Sequence, residues 1–286
     1  MKAAAKSFVN LFKVRIGAAI AVAAAAGLAV EQGSLGFGRS LVLLAAVLVA
    51  SAAAGAFNQY VERDIDVRMA RTRDRPFVTG ALKHGPFWLW VIGAMLLGSV
   101  AAATLSTNAL AGTYVFLGAF TYGVVYTVWL KRRTWWNIVV GGLAGSFAVL
   151  AGAAAVSPSP GPEALALAVV LFFWTPPHFW SLAIACREDY AAARVPMLPV
   201  VVGDARAAKA IYASAALLVA SSIVPFFFGL GGLYLASAAA GGAFFLLRCR
   251  ALVRRPGRET ARKAFLASLV QLCAVLLGAM ADVALL

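Results

Sequence analysis

Long apolar runs alternate with short polar connections along almost the whole chain. A helix needs about 20 mostly apolar residues to cross a membrane, and nine runs come close to that length. The pattern therefore predicts an all-α membrane protein with nine transmembrane helices in one domain, residues 1–286. The predicted spans are residues 14–30, 40–61, 86–105, 108–129, 137–156, 163–186, 209–228, 231–248 and 265–285.

The composition supports a chain embedded in a membrane. Hydrophobic residues make up 63% of it and charged residues 13%, whereas a soluble domain has about 25% charged residues. The three cysteines, Cys186, Cys249 and Cys273, are far apart in the sequence. They predict neither a disulfide framework nor a cysteine metal site.

The basic residues are distributed very unevenly. Of the 25 Lys and Arg, 24 lie in or beside the N-terminal flank and the even-numbered connections, and only Arg39 lies in an odd-numbered one. The positive-inside rule then places the N-terminus in the cytoplasm and the C-terminus outside. We expect a multi-pass protein of a bacterial-type inner membrane, with the lipid bilayer and not nucleic acid as the partner of its net charge of +14.

Charge is concentrated after the second span, in "FNQYVERDIDVRMARTRDRPFVTG", residues 57–80. Asn58, Glu62 and Asp66 follow at intervals of four and would share one face of a continuing helix. Mg²⁺ prefers oxygen ligands and is commonly bound by carboxylates together with substrate phosphates. Arg71 and Arg75 follow closely and suit phosphate oxygens. The stretch predicts a diphosphate site, and the alternative is a solvated loop whose acids pair with its own arginines.

A second segment, "LFFWTPPHFWSLAIACREDYAAARVPMLPVVVG", ends the sixth span. Its Pro-Pro pair predicts a kinked or broken helix, and His178 lies directly after it beside aromatic residues that include Trp174. An ionisable residue at membrane depth is a functional candidate, and the alternative is a neutral His178 that is hydrogen-bonded inside the bundle. Glu188 and Asp189 close the sixth span, either as a second acidic motif or as an interfacial ion pair with Arg187.

A third segment, "YTVWLKRRTWWN", places three basic residues at the cytoplasmic end of the fourth span. Lys131 is a candidate ligand for a diphosphate. The alternative is that Lys131, Arg132 and Arg133 serve only as positive-inside residues.

Together the three segments resemble the UbiA-type intramembrane prenyltransferases, and "WTPPHFW" and "DYAAARVPMLPV" are similar to their haem-modifying branch. The resemblance implies a nine-helix bundle with a lateral cavity for the isoprenoid. It implies farnesyl diphosphate as donor, haem B as acceptor, Mg²⁺ as cofactor and haem A synthase as a candidate partner for the product.

The resemblance also assigns roles to residues. Asn58, Glu62, Asp66 and Asp189 become the catalytic metal ligands, and Arg71, Arg75 and Lys131 bind the diphosphate. His178 and Trp174 are expected on the haem side. The chain departs from the family pattern twice: Glu62 stands where Asp is usual, and Ala185 occupies the position four residues before Asp189.

Two other functions remain open from the sequence. A prenyltransferase could act on an aromatic quinone precursor, and a haem carrier could move haem without chemistry. The asymmetric acidic and basic site favours an enzyme.

Overall fold

The computed structural model describes residues 9–285, and within that range the chain is helical with no β-strand. The predicted N-terminal charges of Lys2 and Lys6 lie outside the described residues. Nine long helices correspond one to one with the predicted spans in residues 9–285. They are α1 Val14–Val30, α2 Phe37–Val61, α3 Phe87–Ser106, α4 Ala109–Leu130, α5 Asn137–Val156, α6 Pro162–Ala185, α7 Asp204–Phe228, α8 Gly232–Arg254 and α9 Arg258–Leu285.

Eight of these helices, α2 to α9, are long and apolar enough to cross a membrane. Helix α1 is apolar but has only 17 residues, so it falls slightly short of that length. The connections contain four short helices. These are Arg63–Asp66, Pro76–Thr79, Arg187–Ala192 and Leu198–Val202.

Several helices extend further than the hydrophobic pattern predicted. Helix α9 begins at Arg258 and not at residue 265, and α8 continues to Arg254 and not to residue 248. Charged residues end an apolar run, but they do not end a helix, because their side chains can reach the headgroup region while the backbone bonds continue. Hydropathy therefore measures the membrane-embedded part of each helix and underestimates its length.

The predicted break at the Pro-Pro pair is wrong. Helix α6 runs without interruption from Pro162 to Ala185, with Pro176 and Pro177 inside it. Proline has no N–H, so the carbonyls of Phe172 and Phe173, four residues earlier, lose their usual partners. Transmembrane helices tolerate such losses inside a packed bundle.

Close helix packing holds the bundle together. Helix α1 crosses α5 at Gly27 and Gly152, where an added methyl group would collide with the backbone of the opposite helix. Small residues at such crossings allow the tight backbone approach that membrane bundles use. Helix α6 packs against α5, α7 and α9, and α9 also contacts α1, so α6 lies in the interior of the bundle. Its C-terminal end lies near the charged loop after α2, since Asp189 contacts Ala70.

Two acids at the opposite ends of the helices have structural roles. Glu31 accepts a hydrogen bond from the Gly161 N–H at the start of α6, at 2.9 Å. Asp282 accepts from the N–H groups of Gly231 and Tyr234 at the start of α8. Both carboxylates satisfy backbone donors that a helix N-terminus leaves without intrahelical partners.

Candidate active site

The acidic residues after α2 lie on a helical turn that continues that helix almost without a break. Backbone N–H groups of Glu62 and Asp66 donate to the carbonyls of Asn58 and Glu62, at 3.0 and 2.8 Å. Asn58, Glu62 and Asp66 are all buried, at 2%, 1% and 0% exposure, whereas Asp64 faces solvent. The interval of four thus brings three oxygen-bearing side chains to the buried face, as the spacing predicted.

Lys131 neutralises Glu62 directly. Its Nζ donates to both carboxylate oxygens of Glu62, at 2.5 and 2.6 Å, and both side chains are buried. Burial by itself would raise the pKa of Glu62, but the positive charges of Lys131 and Lys13 outweigh it and hold that pKa below its ordinary value. Glu62 is therefore an ionised carboxylate inside the protein.

Arg75 plays the corresponding part for Asp66. Its guanidinium donates to the two carboxylate oxygens at 2.8 and 2.6 Å. Burial raises the pKa of Asp66, and the charge and hydrogen bonds of Arg75 oppose that rise. The two acids thus have one cation each, supplied by different parts of the chain.

Lys13 is the site residue that the sequence did not reveal. Its Nζ donates to Asn58 Oδ1 at 2.6 Å and to the Tyr122 hydroxyl at 2.7 Å, and the other end of the Asn58 amide donates to Thr127 Oγ1 at 3.0 Å. Burial, reinforced by the positive charges of Arg75 and Lys131, lowers the pKa of Lys13 to about 7. Within residues 9–285 no carboxylate contacts Lys13 directly, so the charge of its ammonium form is available to an anion.

Asp189 lies at the edge of this array and not inside it. Its Oδ1 accepts from the Ala70 N–H at 2.9 Å, and its Oδ2 is 3.9 Å from Arg71 Nε. Arg71 also donates to the Tyr190 hydroxyl at 2.9 Å. Asp189 therefore joins the second acidic segment to the loop after α2, but no cluster of three His, Cys, Asp or Glu side chains that could hold a metal ion forms in residues 9–285.

The neighbours of Asp189 separate the alternatives for the second acidic motif. Glu188 is exposed, and Arg187 lies 3.6 Å from Asp204 instead of pairing with Glu188 or Asp189. The interfacial ion pair with Arg187 is thus absent between these described residues.

His178 and Trp174 form one packed group with α9. The His178 ring lies between Trp174 and Phe265, with ring centroids 4.1 and 4.5 Å away. Ser268 Oγ donates to the Phe265 carbonyl, so it accepts from His178 Nδ1, at 2.7 Å. Both faces of the imidazole are covered, and the hydrogen bond to Nδ1 leaves Nε2 as the nitrogen that could bind another group.

The solvated-loop interpretation fits only part of the charged stretch. Asp64 pairs with Arg132 at 2.7 Å, with 40% and 59% of the arginine and aspartate side chains exposed. Such a pair contributes little to stability. Glu62 and Asp66 differ because they are removed from water, and an ionised group is kept there only at a cost that its partners must offset.

The array has the chemistry needed to hold a Mg²⁺–diphosphate group. The oxygens of Asn58, Glu62 and Asp66 are the hard ligands that Mg²⁺ takes, and each of them is now held by an ammonium or a guanidinium. Those same cations carry donors suited to phosphate oxygens. Binding of a metal and a diphosphate together would thus give both the acids and the cations new partners.

One apolar cavity is not connected with this chemistry. It has a volume of about 300 Å³ and lies where the start of α6 meets the end of α7, with Leu165, Val169 and Phe228 among its lining residues. None of the site residues above lines it, so it is not the predicted isoprenoid cavity beside the diphosphate site.

The fold is that of a membrane-embedded helical bundle, and the site carries the oxygen ligands and basic donors described above. The model of the UbiA prenyltransferase family matches residues 19–272, so the chain belongs to the UbiA prenyltransferase family. A UbiA homologue from Archaeoglobus fulgidus bound to DMAPP and Mg²⁺ shares the fold with a TM-score of 0.74 at 17% identity, over 94% of this chain and 99% of that one.

Curated relatives extend over nearly the full length. The chain is 54% identical over 283 residues to "Protoheme IX farnesyltransferase 2" of Paramagnetospirillum magneticum, covering 99% of this chain and 98% of that protein. It is 43% identical to "Protoheme IX farnesyltransferase 1" of the same organism, covering 97% and 98%. It is 41% identical to a "Protoheme IX farnesyltransferase" of Thermus thermophilus, covering 95% of this chain and 43% of that protein.

Proposed function

We propose that this prenyltransferase transfers the farnesyl group of farnesyl diphosphate to a vinyl group of haem B, giving haem O and diphosphate. The observation that carries the donor half is the buried array in which Glu62 pairs with Lys131 and Asp66 with Arg75. The acceptor half is supported by the 54% identity to a relative named for protoheme IX.

Basic side chains attract the diphosphate group of the donor. Lys13, Lys131 and Arg75 line the anion site, and Arg71 lies at its rim beside Asp189. We propose that Asn58, Glu62, Asp66 and Asp189 would hold Mg²⁺, which would supply positive charge beside the diphosphate leaving group. This proposal is supported by the oxygen donors on the buried face and by the Mg²⁺ that accompanies DMAPP in the Archaeoglobus homologue.

The side chains of this protein then favour cleavage of the allylic C–O bond. As Lys131 and Arg75 turn from their carboxylates toward the phosphate oxygens, they stabilise negative charge on the leaving diphosphate more than on the bound ester. The surrounding helices exclude water from the cationic farnesyl carbon until the vinyl group attacks it. Water then adds to the porphyrin side and loses a proton, which completes the hydroxyethylfarnesyl substituent.

We place the acceptor beside α6 and α9. His178 Nε2 is available while Nδ1 is held by Ser268, and neutral imidazole is a good ligand for haem iron. Trp174 contributes by fixing the imidazole plane, since its ring stacks on His178 and its Nε1 donates to the Ser268 carbonyl at 2.7 Å.

We further propose an inner-membrane orientation with the diphosphate site on the cytoplasmic side and the C-terminus outside. The support is the segregation of 24 of the 25 basic residues into one set of flanks and connections. Haem A synthase is the partner we propose for receiving the product.

The test is a purified-protein assay with farnesyl diphosphate and Mg²⁺, offered haem B and hydroxybenzoate in parallel and analysed by product mass. Farnesylated haem with release of diphosphate is expected. Prenylated hydroxybenzoate would instead show that the protein acts on a quinone precursor, and haem transfer without diphosphate release would identify a carrier.

A further inference from the structure

The cytoplasmic half of α4 is not an α-helix. Residues Thr121–Leu130 form a π-helix, in which each N–H bonds to the carbonyl five residues earlier. The pattern continues to the next residue, since the Lys131 N–H donates to the Tyr126 carbonyl at 2.9 Å. A π-helical stretch of ten residues is uncommon, and π-turns occur frequently at functional sites.

The π-segment and Lys131, the residue directly after it, make three contacts with the active site. Tyr122 accepts from Lys13, Thr127 accepts from Asn58, and Lys131 donates to Glu62. The Tyr122 and Tyr126 rings stack at 5.5 Å, and Lys131 Nζ lies 5.6 Å from the centre of the Tyr126 ring. All of these side chains therefore point to the same face of the segment.

An ordinary α-helix could not arrange them in this way. Tyr122 and Lys131 are nine residues apart, which is about two and a half turns at 3.6 residues per turn, so an α-helix would place them on opposite faces. The wider π-turn contains more than four residues, and nine residues then make about two whole turns. The register of the π-segment, more than the identity of any one residue, aligns Lys131 with Glu62 while Tyr122 and Thr127 serve Lys13 and Asn58.

We propose that the π-segment Thr121–Leu130 is a positioning element for the reaction, which delivers the Lys131 ammonium to the diphosphate site by its register. This inference rests on the proposed function, because it takes Lys131 as a diphosphate ligand. Conversion of the segment to an α-helix should therefore weaken diphosphate binding even though every site residue is still present.

Deletions of lipid-facing valines test the register. Val124 and Val128 are 39% and 43% exposed and belong to no site contact. Deleting Val124 alone puts Lys131 eight residues after Tyr122, which in an α-helix is about 80° off that face. Deleting both valines puts Lys131 seven residues after Tyr122, and Tyr126 and Thr127 then come three and four residues after Tyr122. An α-helix with this spacing returns all four side chains to one face.

The readout is farnesyl diphosphate affinity in purified, folded protein, compared with Lys131→Met. Deletion of Val124 should weaken binding by roughly tenfold or more, as Lys131→Met does, and the double deletion should recover to within about threefold of the unaltered chain. A folded double deletion that binds as weakly as the single deletion would contradict the proposal.

A full-length variant covers the case in which the deletions do not fold. Exchanging two neighbours, as Leu130→Lys with Lys131→Leu, keeps length and composition, and we expect the affinity loss of Lys131→Met. Affinity equal to that of the unaltered chain would overturn the register argument. Affinity is measured without haem, so the two proposals can fail separately. An unaltered chain that binds no farnesyl diphosphate would contradict the proposed function. An unaltered chain that binds it, with variants that do not lose or recover affinity as stated, would contradict only the proposed role of the π-helical register.

Discussion

Replacing Lys131 by Met, alone and together with a change at Glu62, should distinguish what the buried ion pair contributes to protein stability from what it contributes to farnesyl transfer. The ammonium donates to both Glu62 oxygens, and the two side chains are 6% and 1% exposed. Removing one partner of a buried pair costs about 3–5 kcal/mol, because the other charge stays buried without it. We expect the lower end, about 3 kcal/mol, since Lys13 and Arg75 still act on Glu62 electrostatically.

The second variant in this test adds Glu62→Gln to Lys131→Met. With the charge removed from both positions, stability should return to within about 1 kcal/mol of the unaltered protein, while farnesyl transfer stays lost in both variants. The neighbouring pair offers a matched control: Arg132→Met breaks an exposed ion pair with Asp64 and should cost less than about 1 kcal/mol.

Unfolding in detergent, followed in parallel with turnover, measures both quantities. The reasoning would be refuted if Lys131→Met and the double variant were equally stable, or if Lys131→Met cost no more than Arg132→Met. Either result would mean that Glu62 and Lys131 do not form a buried pair.

Four further predictions concern the acids of the site, His178 and the topology. Asp66→Ala should abolish turnover in folded protein, and Glu62→Asp should retain far more activity than Glu62→Ala because it keeps the carboxylate; equal activity of both Glu62 variants would show that the charge is dispensable. His178→Ala should weaken haem use more than farnesyl diphosphate binding, and Asp66→Ala should do the reverse; separate titration of the two substrates checks this. A His178→Ala variant that loses only thermal stability would show that His178 is a packing residue. Reporter fusions at Pro160 and Arg255 should report the outside and the cytoplasm respectively, and finding both on one side would contradict the nine-span topology.

The hydrophobic pattern was sufficient to predict the helices but not their ends. Each predicted span corresponds to a helix because an apolar run of that length has to satisfy its backbone internally. The charged turns at Asp204 and Arg258 were excluded from the spans, although the helices include them. The break predicted at the Pro-Pro pair is wrong because the prediction counted only the backbone bonds that proline removes, and a transmembrane helix tolerates such losses inside a packed bundle.

Part of the site could be predicted because its residues are close in sequence. The interval of four between Asn58, Glu62 and Asp66 survives in the structure since the helical register continues past Val61. Lys13 could not be distinguished from the other basic residues of the N-terminal flank, because topology alone explains a lysine there. Its contact with Asn58, 45 residues away, depends on how α1 packs against α2.

The pairing of Lys131 with Glu62 could not be predicted from the sequence, for a different reason. In an α-helical register Lys131 would lie on the face opposite Tyr122, and the hydrophobic pattern does not predict ten residues of π-helix. His178 and Trp174 were found together because they are four residues apart on one helix, but Ser268 and Phe265, which hold the imidazole, come from α9 some 90 residues later.

The central claim is tested most directly in bacterial membranes that lack their own haem farnesyltransferase. The chain is expressed there, and haem is extracted and identified by mass. We expect the unaltered chain to produce haem that carries one hydroxyethylfarnesyl group, and Asp66→Ala at equal membrane abundance to produce none. Haem B that remains unmodified by the unaltered chain, with farnesyl diphosphate and Mg²⁺ supplied, would contradict the account.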